Sequence, residues 1–285
     1  CLCSDPALRY ASAEELRDAL EQLVSGPNKD EIPEGNPYRG LLAFEAQHRA
    51  LFFGRKSEIG TLIDRLRTES FLLVAADSGV GKSSLCRAGV LPLVADGALG
   101  GSCSYVTAVL VPGRKPLFAL CTAVATALSC DEAPLIKAVE KAPMSFARTV
   151  RKLLGPGRGI LLFLDQMEEL VTIGDQAQSP LVSEALSSIA LHGGEVRLLC
   201  TARSDFLSRL DTLPSLGDEV TRALYLLRPM GPDKLREAVV GPALIKGVSF
   251  ESDALVDSLV QSTARSDGGL PLLQFALAEL WEVRG

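Results

Sequence analysis

The stretch Phe71-Leu-Leu-Val-Ala-Ala-Asp77-Ser-Gly-Val-Gly-Lys-Ser-Ser84 decides how the rest of the chain is read. An apolar run of the kind that forms a buried parallel strand enters a turn rich in Gly and Ser, and a helical pattern follows. A tight turn at that junction aims consecutive backbone N–H groups into one concavity at the positive end of a helix, which suits polyphosphate. The stretch Ser78, Gly79, Val80, Gly81, Lys82, Ser83 and Ser84 is therefore the expected nucleotide-binding loop. Lys82 would reach the β- and γ-phosphates as a point charge, and the Ser83 hydroxyl would sit on a bridging Mg²⁺. The full phosphate-loop pattern has a glycine where this chain has Ala76, one methyl of departure at the strand exit.

A second stretch, Gly159-Ile-Leu-Leu-Phe-Leu-Asp165-Gln-Met-Glu-Glu169, delivers a carboxylate at the end of another apolar strand. Opposite a phosphate loop, Asp165 would order the Mg²⁺ directly or through water. Glu168 and Glu169 begin the next helical turn, and either could orient or deprotonate a water attacking the γ-phosphate. A third strand end, Leu198-Leu-Cys-Thr-Ala-Arg203-Ser-Asp-Phe206, carries a cation where a parallel-sheet site needs a γ-phosphate sensor, since a guanidinium fork can bridge phosphate oxygens. Pairing of Arg203 with Asp205 at the surface is the plainer alternative.

These strand ends belong to a longer alternation. Strands are predicted at Phe71–Ala75, Tyr105–Val111, Ile160–Leu164, Val196–Thr201 and Arg222–Leu227, with helical patterns between them, among them Phe146–Leu154 and Leu181–Leu191. A helix capped by Ser57 precedes the first strand, and the helix after the loop is expected to end at Pro92. The order implies an α/β fold, a doubly wound parallel sheet flanked by helices with its ligand at the carboxyl ends of the strands. From Pro229 onward the apolar positions fall at helical spacing alone, which predicts a C-terminal helical subdomain over 229–285 beside a nucleotide-binding domain over 38–228.

Composition narrows the classes. The chain has 285 residues, 47% of them hydrophobic and 22% charged, and a formal net charge of -6. That acidic balance argues against a nucleic-acid or anionic-membrane surface, so no nucleic-acid partner is expected. The longest apolar segment, Leu117 to Leu128, is too short to span a bilayer and places Leu117, Leu120, Cys121 and Val124 on one helical face. Seven scattered cysteines fit a reducing compartment better than a disulfide framework, which makes the cytoplasm the default. With two histidines and no CxxC pair, a structural zinc site is not expected.

The amino-terminal segment stands apart. Ser12-Ala-Glu-Glu15 is a capping box opening an amphipathic helix, and residues 26–37 form a linker rich in Pro, Gly and charge. The run Cys1-Leu-Cys-Ser-Asp-Pro-Ala-Leu-Arg-Tyr10-Ala-Ser-Ala-Glu-Glu-Leu resembles the carboxyl end of a eukaryotic-like Ser/Thr protein kinase domain, over residues 1–25. The resemblance implies an upstream kinase domain in the same protein, with Arg9 at a position that pairs with an activation-segment glutamate. Kinase activity itself would not reside in these residues.

Further along, Asn36-Pro-Tyr-Arg-Gly-Leu, Phe53-Gly-Arg, Gly81-Lys-Ser-Ser-Leu-Cys-Arg-Ala-Gly-Val-Leu-Pro92, Leu164-Asp-Gln-Met-Glu-Glu-Leu170, Thr201-Ala-Arg-Ser-Asp-Phe206 and Gly268-Gly-Leu-Pro-Leu-Leu-Gln-Phe-Ala-Leu-Ala-Glu-Leu-Trp281 occur in that order. Together they resemble the novel STAND NTPase domain, a bacterial branch of the signal-transduction ATPases. The resemblance implies ATP and Mg²⁺ as ligands, Phe53 and Gly54 near the adenine, Arg55 among the nucleotide-binding residues, and Arg203 as the sensor. It also implies that Pro271 closes over the base from the helical subdomain and that the winged-helix module usual in such proteins is missing from residues 1–285. A slow regulatory ATPase that self-associates or engages protein partners is the function expected; a non-hydrolysing nucleotide-binding scaffold is the alternative. The guanine-reading N-K-x-D motif of GTPases is absent after the loop, as is the L-S-G-G-Q signature of ABC transporters.

Overall fold

The computed structural model describes residues 32–266 and 268–284. The kinase-like end expected over 1–25 and the first part of the linker lie outside the described residues. Five parallel strands form the central sheet: β1 (Phe71–Ala76), β2 (Ser104–Leu110), β3 (Arg158–Leu164), β4 (Val196–Arg203) and β5 (Leu224–Leu226), in the spatial order β2-β3-β4-β1-β5. Each is a predicted strand to within a few residues. Arg222 and Ala223 belong instead to the end of the Gly217–Ala223 helix, so β5 is shorter than the apolar pattern alone implies. All six residues of β1 are buried, as a strand covered on both faces requires.

Two apolar layers cover the sheet. On one side the helices Pro116–Leu128, Phe146–Leu154 and Gln178–His192 pack Leu120, Val124, Val150 and Leu186 against Leu73, Leu162 and Leu198. On the other, the Lys56–Thr68 helix and the helix after the phosphate loop pack Leu62, Leu66, Leu85 and Val90 against Leu72, Val74 and Leu199. The alternation of residues along β1 between these two clusters is the period-two pattern of a strand read in three dimensions. Helix 56–68 starts two residues earlier than a Ser57 cap predicts. Arg55 takes the cap position, and the Ser57 hydroxyl donates to Glu58 rather than receiving a backbone N–H.

The helix after the loop continues past Pro92 to Ala95. It does so by widening: Leu85–Val90 is a π-helical stretch in which the Leu91 N–H donates to the Cys86 carbonyl. The extra residue per turn makes room for the Pro92 ring, whose clash with the carbonyl four residues back normally breaks a helix. Gly89 in this stretch packs directly on Ile59.

Three helices, Pro232–Ile245, Asp253–Ala264 and Gly269–Glu282, form a separate apolar cluster around Leu235, Val239, Val256, Leu273, Leu277 and Trp281. Tyr38 joins this cluster, its ring edge-on to Trp281 and its hydroxyl donating to the Val239 carbonyl at 2.5 Å. Asn36 donates to the Ala278 carbonyl and the Glu282 carboxylate, both at 2.9 Å. The segment that enters the nucleotide-binding domain is thus fastened to the helical cluster first. No helix among the described residues is long and apolar enough to cross a membrane.

Candidate nucleotide-binding site

Because β4 lies between β3 and β1, the three strand ends singled out in the sequence converge on one edge of the sheet. Ala76 stands opposite Arg203 in the parallel register, and Asp165, one residue past β3, donates its backbone N–H to the carbonyl of Leu110 at the end of β2. A cavity of about 430 Å³ opens there, in the range of small-molecule sites. Its polar part is lined by Ser78, Gly79, Gly81, Lys82, Ser83, Ser84, Asp165, Glu168, Thr201 and Arg203. Its apolar part is lined by Phe44, Phe53, Met230, Ala238, Leu270 and Pro271, with Arg55 at its border.

The loop is closed from outside by the helical cluster. Gly79 has a φ of +80°, and a Cβ there would lie 3.0 Å from Cγ of Pro271. Only glycine meets both demands at once, a left-handed backbone and close approach of a neighbouring ring. Ala76, by contrast, is the last residue of β1, and its methyl packs in the apolar layer with Val74, Val80 and Leu85. The departure from the glycine pattern therefore fills core space and leaves the loop concavity unchanged. Val80 likewise turns its side chain into that layer.

Asp165 is 2% exposed and fully engaged. Its Oδ1 accepts from the Ser83 hydroxyl at 2.8 Å and the Thr201 hydroxyl at 2.5 Å, while Oδ2 accepts from Arg87 at 3.0 Å. Arg87 also reaches Glu45 at 2.9 Å and lies over the Phe163 ring. Neither Thr201 nor Arg87 stood out as a site residue in the sequence. Arg87 is four residues after Ser83 on the same helix face, a spacing that could have revealed it. Lys82 donates to the Ala76 and Asp77 carbonyls, each at 2.9 Å. Burial lowers the pKa of its ammonium, against the attraction of the nearby Glu168.

The two glutamates part ways. Glu168 is buried in the cavity, its Oε2 accepting from the Arg203 backbone N–H at 3.3 Å, and burial raises its pKa above the ordinary carboxylate value. Glu169 faces away and accepts from the Gly113 N–H at 2.8 Å, tying down the loop after β2. The guanidinium of Arg203 is half exposed and held by both oxygens of Asp205, at 3.0 and 2.6 Å. Arg203 thus has the surface partner that the plainer reading names, and it borders the cavity.

Phe53, Gly54 and Arg55 lie where the sheet domain meets the helical cluster. The Phe53 ring packs on Gly241 and borders the cavity, and a Cβ on Gly54, whose φ is +80°, would lie 2.4 Å from the Lys234 carbonyl oxygen. Arg55 is 1% exposed, and its guanidinium is committed to protein groups: Glu58 at 2.8 Å, the Arg228 carbonyl at 2.9 Å and the Val80 carbonyl at 3.0 Å. No group of three or more His, Cys, Asp or Glu side chains that could hold a metal occurs among the described residues, so a cation here would rely on phosphate and water for most of its ligands.

A parallel sheet with a phosphate loop at one strand end and a carboxylate at the next but one defines a P-loop nucleoside triphosphatase domain. The family model of Novel STAND NTPase 1 matches residues 37–285, and the chain belongs to that family. A search of curated proteins returns no match. Among solved structures, a Walker-type ATPase of Pyrococcus abyssi is similar with a TM-score of 0.54 at 14% identity, covering 85% of this chain and 71% of that one. The ORC1 protein of Aeropyrum pernix, solved in complex with DNA, gives 0.58 at 16% identity, covering 83% of this chain and 62% of its own. Drosophila ORC bound to DNA gives 0.57 at 11% identity, with 95% of this chain and 68% of that chain covered. At these identities the likeness is one of fold. The chain spans less than two thirds of the ORC1 length.

Proposed function

We propose that this domain is a regulatory ATPase in which Mg·ATP binds between the sheet and the helical cluster, favours their closed arrangement, and is slowly hydrolysed to reset it. The observation that carries the hydrolytic part is the placement of Glu168, a buried carboxylate in the cavity beside Lys82 and Arg203. Raised basicity and seclusion from bulk water suit a group that takes a proton from an attacking water. Ser83 and Asp165 would hold the Mg²⁺; the carboxylate is oriented by Thr201 and Arg87, the Ser83 hydroxyl by the carboxylate, and such hard oxygens fit that ion. Bound there, the ion would neutralise charge on the β- and γ-phosphates. Lys82 would exchange its two carbonyl partners for phosphate oxygens, and Arg203 would leave Asp205 to meet the γ-phosphate, so that ATP and ADP are told apart.

Glu168→Gln is expected to slow ATP turnover a hundredfold or more while binding persists, and Glu169→Gln to change it only a few-fold. Equal losses would contradict the assignment. Since the base must be ionised, wild-type turnover should fall on acidification at a pH above the ordinary glutamate range, and that inflection should vanish in Glu168→Gln. Absence of turnover in the unmutated chain with nucleotide bound would favour the scaffold reading.

The wider context is part of the same proposal: a kinase domain upstream in the polypeptide, self-association or protein partners, and a cytoplasmic setting. We read no nucleic-acid role into the chain on its net charge of -6, although ORC1 was solved with DNA. Salt-sensitive binding to a DNA duplex would overturn that reading.

A further inference from the structure

The wall that closes over the phosphate loop carries one polar side chain that hydrolysis does not use. Gln274 lines the cavity, is 9% exposed, and its Oε1 is buried without a hydrogen-bond partner. Orphaned buried amide oxygens are rare in folded proteins because such a group has given up water for nothing. Its position along the 269–282 helix is informative. Leu270, one turn before it, lies against Gly81 of the phosphate loop, and Ala278, one turn after it, lies against Gly40. Residues four apart share a helix face, so Gln274 stands between the phosphate loop and the Gly40 end of the cavity, about 6 Å beyond Leu270. Around it the lining is apolar, with Phe44, Phe53, Met230 and Ala238, the surroundings of a flat aromatic ring rather than of phosphate.

We propose that Gln274 is a specificity-determining residue that reads the base, its Oε1 accepting a hydrogen bond from the exocyclic amino group of a 6-aminopurine. The inference rests on the reading of the cavity as a nucleotide site and adds the atom that selects the base. A 6-aminopurine supplies the donor that the orphaned oxygen lacks. A 6-oxopurine presents an acceptor at the same place and sets lone pair against lone pair. Shape and stacking alone discriminate poorly between such rings, whereas a buried group built to pair with a polar substituent rejects the analogue without it.

The test is equilibrium binding of the Mg²⁺ complexes of ATP, purine riboside triphosphate and inosine triphosphate to the whole chain and to Gln274→Met. Purine riboside triphosphate lacks only the amino group. The wild type should bind ATP roughly three- to tenfold more tightly than purine riboside triphosphate, the range of one neutral hydrogen bond. In Gln274→Met the two should become equal through loss of ATP affinity alone. The melting temperature of the unliganded variant should hold or rise, because an apolar chain of similar length replaces an unsatisfied acceptor. Equal binding of ATP and purine riboside triphosphate by the wild type would overturn the inference without recourse to any variant, as would a Gln274→Met effect common to both. Lys82→Ala separates this failure from that of the underlying reading. If it abolishes binding while the base preference is missing, only the role of Gln274 falls. If the wild type binds none of the three, the nucleotide site falls and Gln274 with it.

Discussion

The two ends of the cavity are built in opposite ways. At the phosphate-loop end, Ser83, Asp165, Thr201 and Arg87 come from one sheet and the helix that follows the loop, and both oxygens of the Asp165 carboxylate are held by neighbours on that framework. At the other end the walls belong to two bodies. Gly54 meets Lys234, Arg55 meets Arg228, Glu58 meets Lys234, and Pro271 meets Gly79. Arg55 serves both ends, donating to the phosphate-loop carbonyl of Val80 and to the Arg228 carbonyl at the start of the helical region. The groups around the phosphate loop are preorganised by folding of the sheet, whereas the apolar wall formed by Met230, Ala238, Leu270 and Pro271 exists only when the helical cluster is docked. A ligand touching both ends would therefore add its binding free energy to the docking.

Substitutions on the docking side should reveal how far that contrast holds. The largest effect is expected from Gly54→Ala, which forces a side chain into a left-handed backbone and against the Lys234 carbonyl. A loss of about 3 kcal/mol in denaturant unfolding is expected, with nucleotide stabilisation reduced at the same time. An unchanged midpoint would mean that the two bodies are not clamped there. Glu58→Gln comes next, at about 2 kcal/mol near neutral pH, since it removes the charge shared by Arg55 and Lys234. Burial by itself would raise the Glu58 pKa, but hydrogen bonds from Lys234, Ser57 and Arg55 bring it to about 2. A depressed folded-state pKa gives stability that is present above the unfolded value of 4.5 and is lost as pH falls toward 2. The difference between wild type and Glu58→Gln should shrink over that window, and a pH-independent difference would assign the effect to packing instead. The smallest effect belongs to the phosphate side: Ala76→Gly should cost about 1 kcal/mol or less and leave ATP affinity unchanged, because the methyl faces the core. Tighter ATP binding in Ala76→Gly would show that the methyl intrudes on the loop after all.

The contrast also explains what the sequence disclosed. The sheet and its phosphate end were legible because continuous apolar runs, such as Ile160 to Leu164, end on the residues that carry the chemistry. Backbone direction then places those ends together. The course of the helix past Pro92 was not legible, since a π-helical detour depends on packing against Ile59 and on relief of the proline clash. Nor could spacing separate Glu168 from Glu169, adjacent residues at the end of an extended turn where Gln166 takes a φ of +60°. The partners that part them are Arg203 and Gly113, remote in sequence. The family motif gives Arg55 only as a nucleotide-binding residue, and its burial as a clamp between loop and helical region appears only in the folded arrangement.

The most direct test of a nucleotide site shared between the two ends is the melting temperature of the chain with and without saturating Mg·ATP, alongside Lys82→Ala. At one hundred times the dissociation constant the ligand should add about 2.7 kcal/mol, which for a chain of this size is on the order of several degrees. The account predicts that rise in the wild type and its loss in Lys82→Ala. A melting temperature indifferent to Mg·ATP, or a rise that survives in Lys82→Ala, would contradict it.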